Sequence, residues 1–361
     1  MKARTIDSRE EIAKIDKENV LGSVEALPQQ CLHAWEEANK INVPKDYGDV
    51  KYVVMCGMGG SGLGARVIES TFRDELKIPL VRINDYHLPA WVNSRSLVIC
   101  SSYSGETEET IQNAKEAIDK KAKWMAIGTG NTLIKLAQEL QVPYYRIIPK
   151  FNPSDQPRMA IGYSIVGQLT LAAKIGIISL SSENIKEAVT AMNGIQKKNS
   201  VEVVSHNEAK KLAVRMKDKI ISFISAGHLV GATHVFNNQI NENSKVFCAD
   251  FVIPEINHHL MEGLSHPEIN KTGIFSVFVD SDLYPARIRQ RISLTKDVVE
   301  KHDVETFVFK PKSKTKLTQV FELIQFGAFV NFYLSILYKQ NPGPLPWVDY
   351  FKNKLGQPLG K

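Results

Sequence analysis

The 361-residue sequence predicts an α/β protein built from two doubly wound parallel-sheet domains in tandem. Three observations carry that prediction. Short apolar runs alternate with amphipathic stretches of about a dozen residues, the pattern of parallel strands joined by crossover helices. The alternation runs twice, on either side of the proline-bearing loop Phe151 to Pro157 (FNPSDQP). The chain is also longer than a single hydrophobic core usually supports.

The elements follow in order. A polar helical lead-in runs to about Asn39, and Lys51 to Met55 (KYVVM) reads as the first buried strand. Gly62 to Phe72 is the helix after it. Ile78 to Ile83, Ser96 to Cys100, Trp124 to Ile127 and Val142 to Ile147 are further short strands, with helices at Thr107 to Ile118 and Asn131 to Leu140. Beyond the loop come a long apolar helix, Arg158 to Ile175, and a polar helical stretch rich in Lys and Glu. Strands resume at Lys219 to Ser225, Lys245 to Val252, Gly273 to Asp280 and Val304 to Phe309. Helices are expected at Ala232 to Asn241 and Leu317 to Tyr338, before the tail Asn341 to Lys361. The expected domains are residues 1–155 and 156–361.

Composition narrows the function. Charged residues make up 23% and the net charge is only +6, with no run of Lys/Arg interleaved with aromatics, so nucleic acid is not implied. Cys31, Cys56, Cys100 and Cys248 form no CxxC pair and read as small buried hydrophobes. The polar N-terminus lacks a signal-peptide core, and no stretch approaches the ~18 uninterrupted apolar residues of a membrane span. The cytoplasm is the expected location.

The chemistry concentrates in two strand-to-helix turns. The first strand ends in Gly57-Met58-Gly59-Gly60-Ser61-Gly62. Glycines there let backbone approach an anion, and the helix start offers N–H groups and partial positive charge. Gly57, Gly59 and Gly62 also satisfy G-x-G-x-x-G, and Asp85 lies near the place of a ribose-binding acid, so a dinucleotide site is an alternative. The second turn, Ser101-Ser102-Tyr103-Ser104-Gly105-Glu106-Thr107, separates the two readings. Ser102, Ser104 and Thr107 can aim hydroxyls at one point beside a helix N-terminus, with Ser61 facing the same crevice. A phosphate monoester needs such a cluster; a dinucleotide does not. The competing explanation for Ser104 or Thr107 alone is helix capping.

These two turns, together with Glu108-Glu109-Thr110, resemble the signature loops of sugar isomerase (SIS) domains. Within that superfamily the sequence is similar to the bifunctional phosphoglucose/phosphomannose isomerases. Gln156-Pro157-Arg158 resembles their Q-P-R turn, Asn241 to Lys245 their N-E-N-x-K segment, and Pro254 to His258 their P-E-x-N-H motif. Asn341 to Leu345 resembles the D-P-x-P-V before their last helix.

The resemblance implies an aldose–ketose isomerase that works through a cis-enediolate, with no cofactor and no metal. Gly59, Gly60, Ser61, Ser102, Ser104 and Thr107 would hold the substrate phosphate. Glu242 would be the base, and Arg158 would stabilise the enediolate oxygen. His258, supplied by the partner subunit of a homodimer, would take part in ring opening, assisted by Lys352. Each role has a rival. Glu255 competes as base, Lys354 competes with Lys352, and Glu242 taken alone could simply end a helix. His258-His259 invites a metal reading, but adjacent histidines on extended chain point to opposite sides and no third ligand stands at a usable spacing. Gly343 stands where a Thr is frequent in the family, a Thr linked to handling both C2 epimers, and His259 stands where Asn is usual. Two other classes remain open at this point: a non-catalytic SIS module that senses sugar phosphates, and a nicotinamide-dependent oxidoreductase built on Gly57 to Gly62.

Overall fold

A computed structural model describes residues 5–356. Helices α1 (Arg9–Ala13), α2 (Val20–Glu25) and α3 (Leu27–Asn39) lead into the first alternation. It comprises β1 (Tyr52–Cys56), α4 (Leu63–Thr71), β2 (Leu80–Ile83), β3 (Ser96–Ser101), α5 (Glu108–Asp119), β4 (Lys123–Gly128), α6 (Asn131–Glu139) and β5 (Tyr144–Arg146). Next come α7 (Ile161–Lys174), α8 (Ser182–Asn199) and α9 (Glu208–Met216). The second alternation is β6 (Ile220–Ser225), α10 (Val230–Gln239), β7 (Cys248–Val252), α11 (Leu260–Gly263), α12 (Asn270–Gly273), β8 (Ile274–Val279), α13 (Ala286–Lys301) and β9 (Glu305–Phe309). The chain closes with α14 (Lys316–Leu337) and α15 (Pro346–Leu355).

Every strand pairing is parallel, as the near-continuous apolar strands require. The first sheet has the order β2-β1-β3-β4-β5 and the second β7-β6-β8-β9. Each of the predicted strands is present, though Lys245 to Phe247 lie outside β7. Lys245 takes a left-handed conformation (φ 55°) that leaves the preceding helical turn and cannot start a strand.

The chain divides into two units, and the division differs from the expected one at 155/156. One unit joins the described residues through Glu25 to Lys186–Gly343; the other comprises Ala26–Ile185 and the described residues from Pro344 on. Three segments change sides relative to that expectation, the N-terminal one, the stretch carrying α7 and the described residues from Pro344 on, and side-chain chemistry accounts for the first two. α7 is predominantly apolar and buries nearly every residue, packing with α3, α4 and β4 on the first sheet. The N-terminal segment is fastened to the second sheet's unit instead. The Gln325 side chain donates to the Val24 carbonyl (3.0 Å), and buried Lys210 pairs with Asp7 (2.8 Å).

α14 forms the centre of that second unit. Every residue from Leu317 to Ile336 is buried, and the helix packs against α2, α9 and α10. Each fully buried Phe there contributes about 1.5–3 kcal/mol. α14 is long and apolar enough to cross a bilayer, and its apolar length is taken up by the unit's own interior.

Candidate active site

The first sheet places two turns side by side. β1 and β3 are neighbours with Cys56 opposite Cys100, so the residues that follow each strand emerge at the same level. β2 lies on the far side of β1, which makes the β1/β3 edge the point where the strand order reverses. Ligands of open α/β sheets bind there. The two cysteines sit beneath the turns, fully buried. Their mutual hydrogen bond and burial push the Cys56 thiol up, so it stays protonated and serves as packing.

Gly57 must be glycine. A Cβ at that position would stand 2.9 Å from both the Ser101 and the Ser61 carbonyl oxygens, tighter than any side chain tolerates. The absence of a side chain lets the two turns close on each other. Residues Gly59–Gly62 then form one turn of 3-10 helix before α4, with none of the four buried. Ser61 Oγ accepts a hydrogen bond from the Tyr103 amide (2.9 Å), a direct link between the turns.

The second turn carries the hydroxyl cluster. Ser102 Oγ bonds Thr107 Oγ1 (2.8 Å), lies 3.5 Å from Ser104 Oγ, and accepts from the Gly105 amide (3.1 Å). Ser102 is buried at the base, while Ser104 and Thr107 reach solvent. Thr107 occupies the N-cap position of α5, yet its side chain makes no capping bond. Capping therefore does not explain it; the hydroxyl faces its neighbours beside the positive end of a twelve-residue helix. The turn is rigid. Glu106 Oε1 accepts from the Thr132 amide (2.9 Å) and hydroxyl (2.8 Å), and the Asn131 side chain donates to the Ser104 carbonyl (2.8 Å).

Arg158 joins the same cluster. It lies on the 3-10 turn Pro157–Met159, almost fully buried, and its Nη1 donates to Gln156 Oε1 (2.9 Å). Its Cα lies 3.7 Å from where a Gly60 side chain would begin. α7 braces the first turn from behind. Ser164 Oγ donates to the Gly60 carbonyl (3.0 Å), and Gln168 Nε2 donates to the Ser61 carbonyl (2.7 Å). The predicted phosphate residues and Arg158 are thus brought together in one unit. Asp85, the acid of the dinucleotide reading, uses a carboxylate oxygen on the Tyr86 amide (2.6 Å).

Glu242 and His258 belong to the other unit. α10 does not simply end before Glu242; it widens into a π-helical turn, Ile240–Ser244. Such turns are found frequently at functional sites. The residues after Glu242 are anchored to α14, with Asn243 Nδ2 donating to Asn331 Oδ1 (2.9 Å) and Ser244 Oγ to the Asn331 carbonyl (2.7 Å). Glu242 itself is only partly buried. His258 ends the 3-10 turn Glu255–His258 and is exposed, as are Glu255 and His259. Lys352 lies on α15, every residue of which is exposed.

Residues 205–355 match the family described as the bacterial phospho-glucose isomerase C-terminal SIS domain. A bifunctional phosphoglucose/phosphomannose isomerase from Caldicellulosiruptor bescii is 34% identical over 339 residues, 93% of this chain and 98% of that one. The chain belongs to the bifunctional phosphoglucose/phosphomannose isomerase family. The enzyme of that name from Aquifex aeolicus is 28% identical, over 89% of this chain and 94% of that one. Among solved structures, tagatose-6-phosphate ketose/aldose isomerase from Escherichia coli superposes with a TM-score of 0.72 at 11% identity, covering 89% of this chain and 93% of that one. That likeness reports the shared fold.

One residue near a family motif escaped the sequence reading. Where a side chain at Gly343 would begin, Glu18 Oε2 stands 2.5 Å away, buried. A threonine there would have to displace that carboxylate. No local pattern signals the pairing, because the two residues meet only through the fold.

Proposed function

We propose that this family member interconverts glucose 6-phosphate and fructose 6-phosphate, with mannose 6-phosphate as its second aldose, and that the active species is a homodimer. One observation carries the reading: four hydroxyls and Arg158 gather at the β1/β3 switch point with none of the predicted phosphate hydroxyls spent on capping a helix. In this reading Ser61, Ser102, Ser104 and Thr107 hold the phosphate, with the Gly59–Gly60 backbone alongside. After ring opening, the Glu242 carboxylate takes the C2 proton and returns it at C1, while a proton passes between O1 and O2. Arg158 supplies fixed positive charge for the enediolate oxygen. His258 of a second copy and Lys352 serve the ring-opening step.

The test is Glu242→Gln, which keeps size and hydrogen bonding but removes the base. A coupled assay on glucose 6-phosphate and mannose 6-phosphate is expected to show kcat lowered by about 10²–10⁴-fold with folding intact. Near-native kcat in a folded variant defeats the assignment of the base. Mixing Glu242→Gln with His258→Ala protomers addresses the dimer: a shared site restores activity in the mixture, whereas independent sites leave it at the level of the two variants.

A further inference from the structure

The turn that presents His258 is held by its neighbour. Asn257 Nδ2 donates to Thr295 Oγ1 (2.7 Å), and Arg291 Nη1 donates to Asn257 Oδ1 (3.0 Å). Both partners lie on α13, one turn of helix apart. The Thr295 hydroxyl proton is already committed to the Arg291 carbonyl (2.7 Å), so the hydroxyl meets Asn257 as an acceptor. Thr295 is almost fully buried, so loss of the Asn257 donor leaves its hydroxyl short of a partner from the protein. Ile256 is buried beside it, and the Asn257 amide donates to the Pro254 carbonyl (3.1 Å). The His258 ring, by contrast, is exposed. A cavity of ≈ 470 Å³ opens between this turn and α13, lined in part by Asn257, His258, Met261, Arg287 and Arg291. Apolar packing therefore leaves that side of the turn unsupported, and the polar clamp sets its orientation.

We propose that Asn257, clamped to α13 by Arg291 and Thr295, is a positioning residue that fixes the direction in which His258 is presented for ring opening. This rests on the ring-opening role given to His258 above. The geometry demands an amide. An aspartate keeps the acceptor for Arg291 but turns a lone pair on Thr295 Oγ1, and an alanine loses both bonds.

Ring opening can be measured apart from isomerisation, as magnetisation exchange between the α and β anomers of glucose 6-phosphate in NMR. Asn257→Ala and Asn257→Asp are expected to lower enzyme-catalysed anomerisation and kcat together, by about ten- to a hundredfold, with KM within about twofold. Thr295→Val should lower both in the same direction, while Thr295→Ser, which retains the acceptor, should restore them. That rescue separates positioning from a loss of fold, and the Thr295 pair decides the matter if Asn257→Ala does not fold. Folded Asn257 and Thr295→Val variants with native anomerisation, alongside an inactive His258→Ala, overturn the clamp and leave the role of His258 standing. Native anomerisation in His258→Ala removes the role itself and the inference with it.

Discussion

The four strands of the second sheet repeat the order of the first four in the five-stranded first sheet, and the two meet opposite fates at their switch points. In the first, β1 and β3 end in turns whose small residues leave the place open, with Ser104 exposed, Ser61 and Thr107 half-buried and Ser102 buried beneath them. In the second, β6 and β8 stand in the same relation, and the place between their ends is filled. The Tyr284 ring packs edge-on to His228 at 5.2 Å and lies against Gly227. His228 Nε2 and Ser281 Oγ both bond Gln319 Oε1, at 2.9 and 2.6 Å. All four of those side chains are buried. The backbone plan offers an anion site twice, but side-chain volume decides whether it is open. A serine whose hydroxyl meets another hydroxyl can turn to a ligand, whereas a serine committed to a buried amide cannot.

That contrast can be tested with paired substitutions, the largest effect first. Gly57→Ala drives a Cβ into two backbone carbonyls and should part the turns, raising KM on the order of a hundredfold as two or more charge-assisted hydrogen bonds are lost. Gly227→Ala, at φ +49° with a ring edge 3.4 Å away, should cost about 1–2 kcal/mol in denaturant unfolding and leave KM unchanged. A KM effect at Gly227 comparable to that at Gly57 breaks the distinction between the turns. Ser102→Ala should raise KM by about tenfold, the worth of one hydrogen bond to a charged group, while Ser281→Ala should cost about 1 kcal/mol of stability with KM unmoved.

The smallest effect is a pH dependence. Burial holds the His228 imidazole below its ordinary value of 6.5. The unfolded chain therefore takes up a proton that the folded one refuses, so this contribution is complete above pH 6.5 and is lost as pH falls below it. A melting temperature followed downward from pH 7 should decline, and His228→Asn should flatten that part of the slope.

The sequence made the strands legible because parallel strands buried on both faces must be apolar throughout, and glycine next to hydroxyls marks a turn that receives an anion. What it could not show was distance. The packing of α7 on α3, the N-terminal segment fastened by Asp7 to Lys210, and Glu18 beside Gly343 each depend on contacts more than a hundred residues apart in the chain. Local shape was hidden too: the motif around Glu242 was visible, but the π turn that presents it was not. Capping gave a fair rival account of Thr107 until its side chain proved to face Ser102.

The long, predominantly apolar and buried α14 carries a consequence for synthesis. Of the helices it packs against, α2, α9 and α10 all precede it in the chain. When a ribosome extrudes this greasy twenty-two-residue segment, its binding partners have already been made and wait outside the tunnel. A segment that would otherwise attract membrane-targeting machinery or aggregate is received at once by its own earlier product. A circular permutant that begins at α14 reverses that order, exposing the helix before anything exists to cover it.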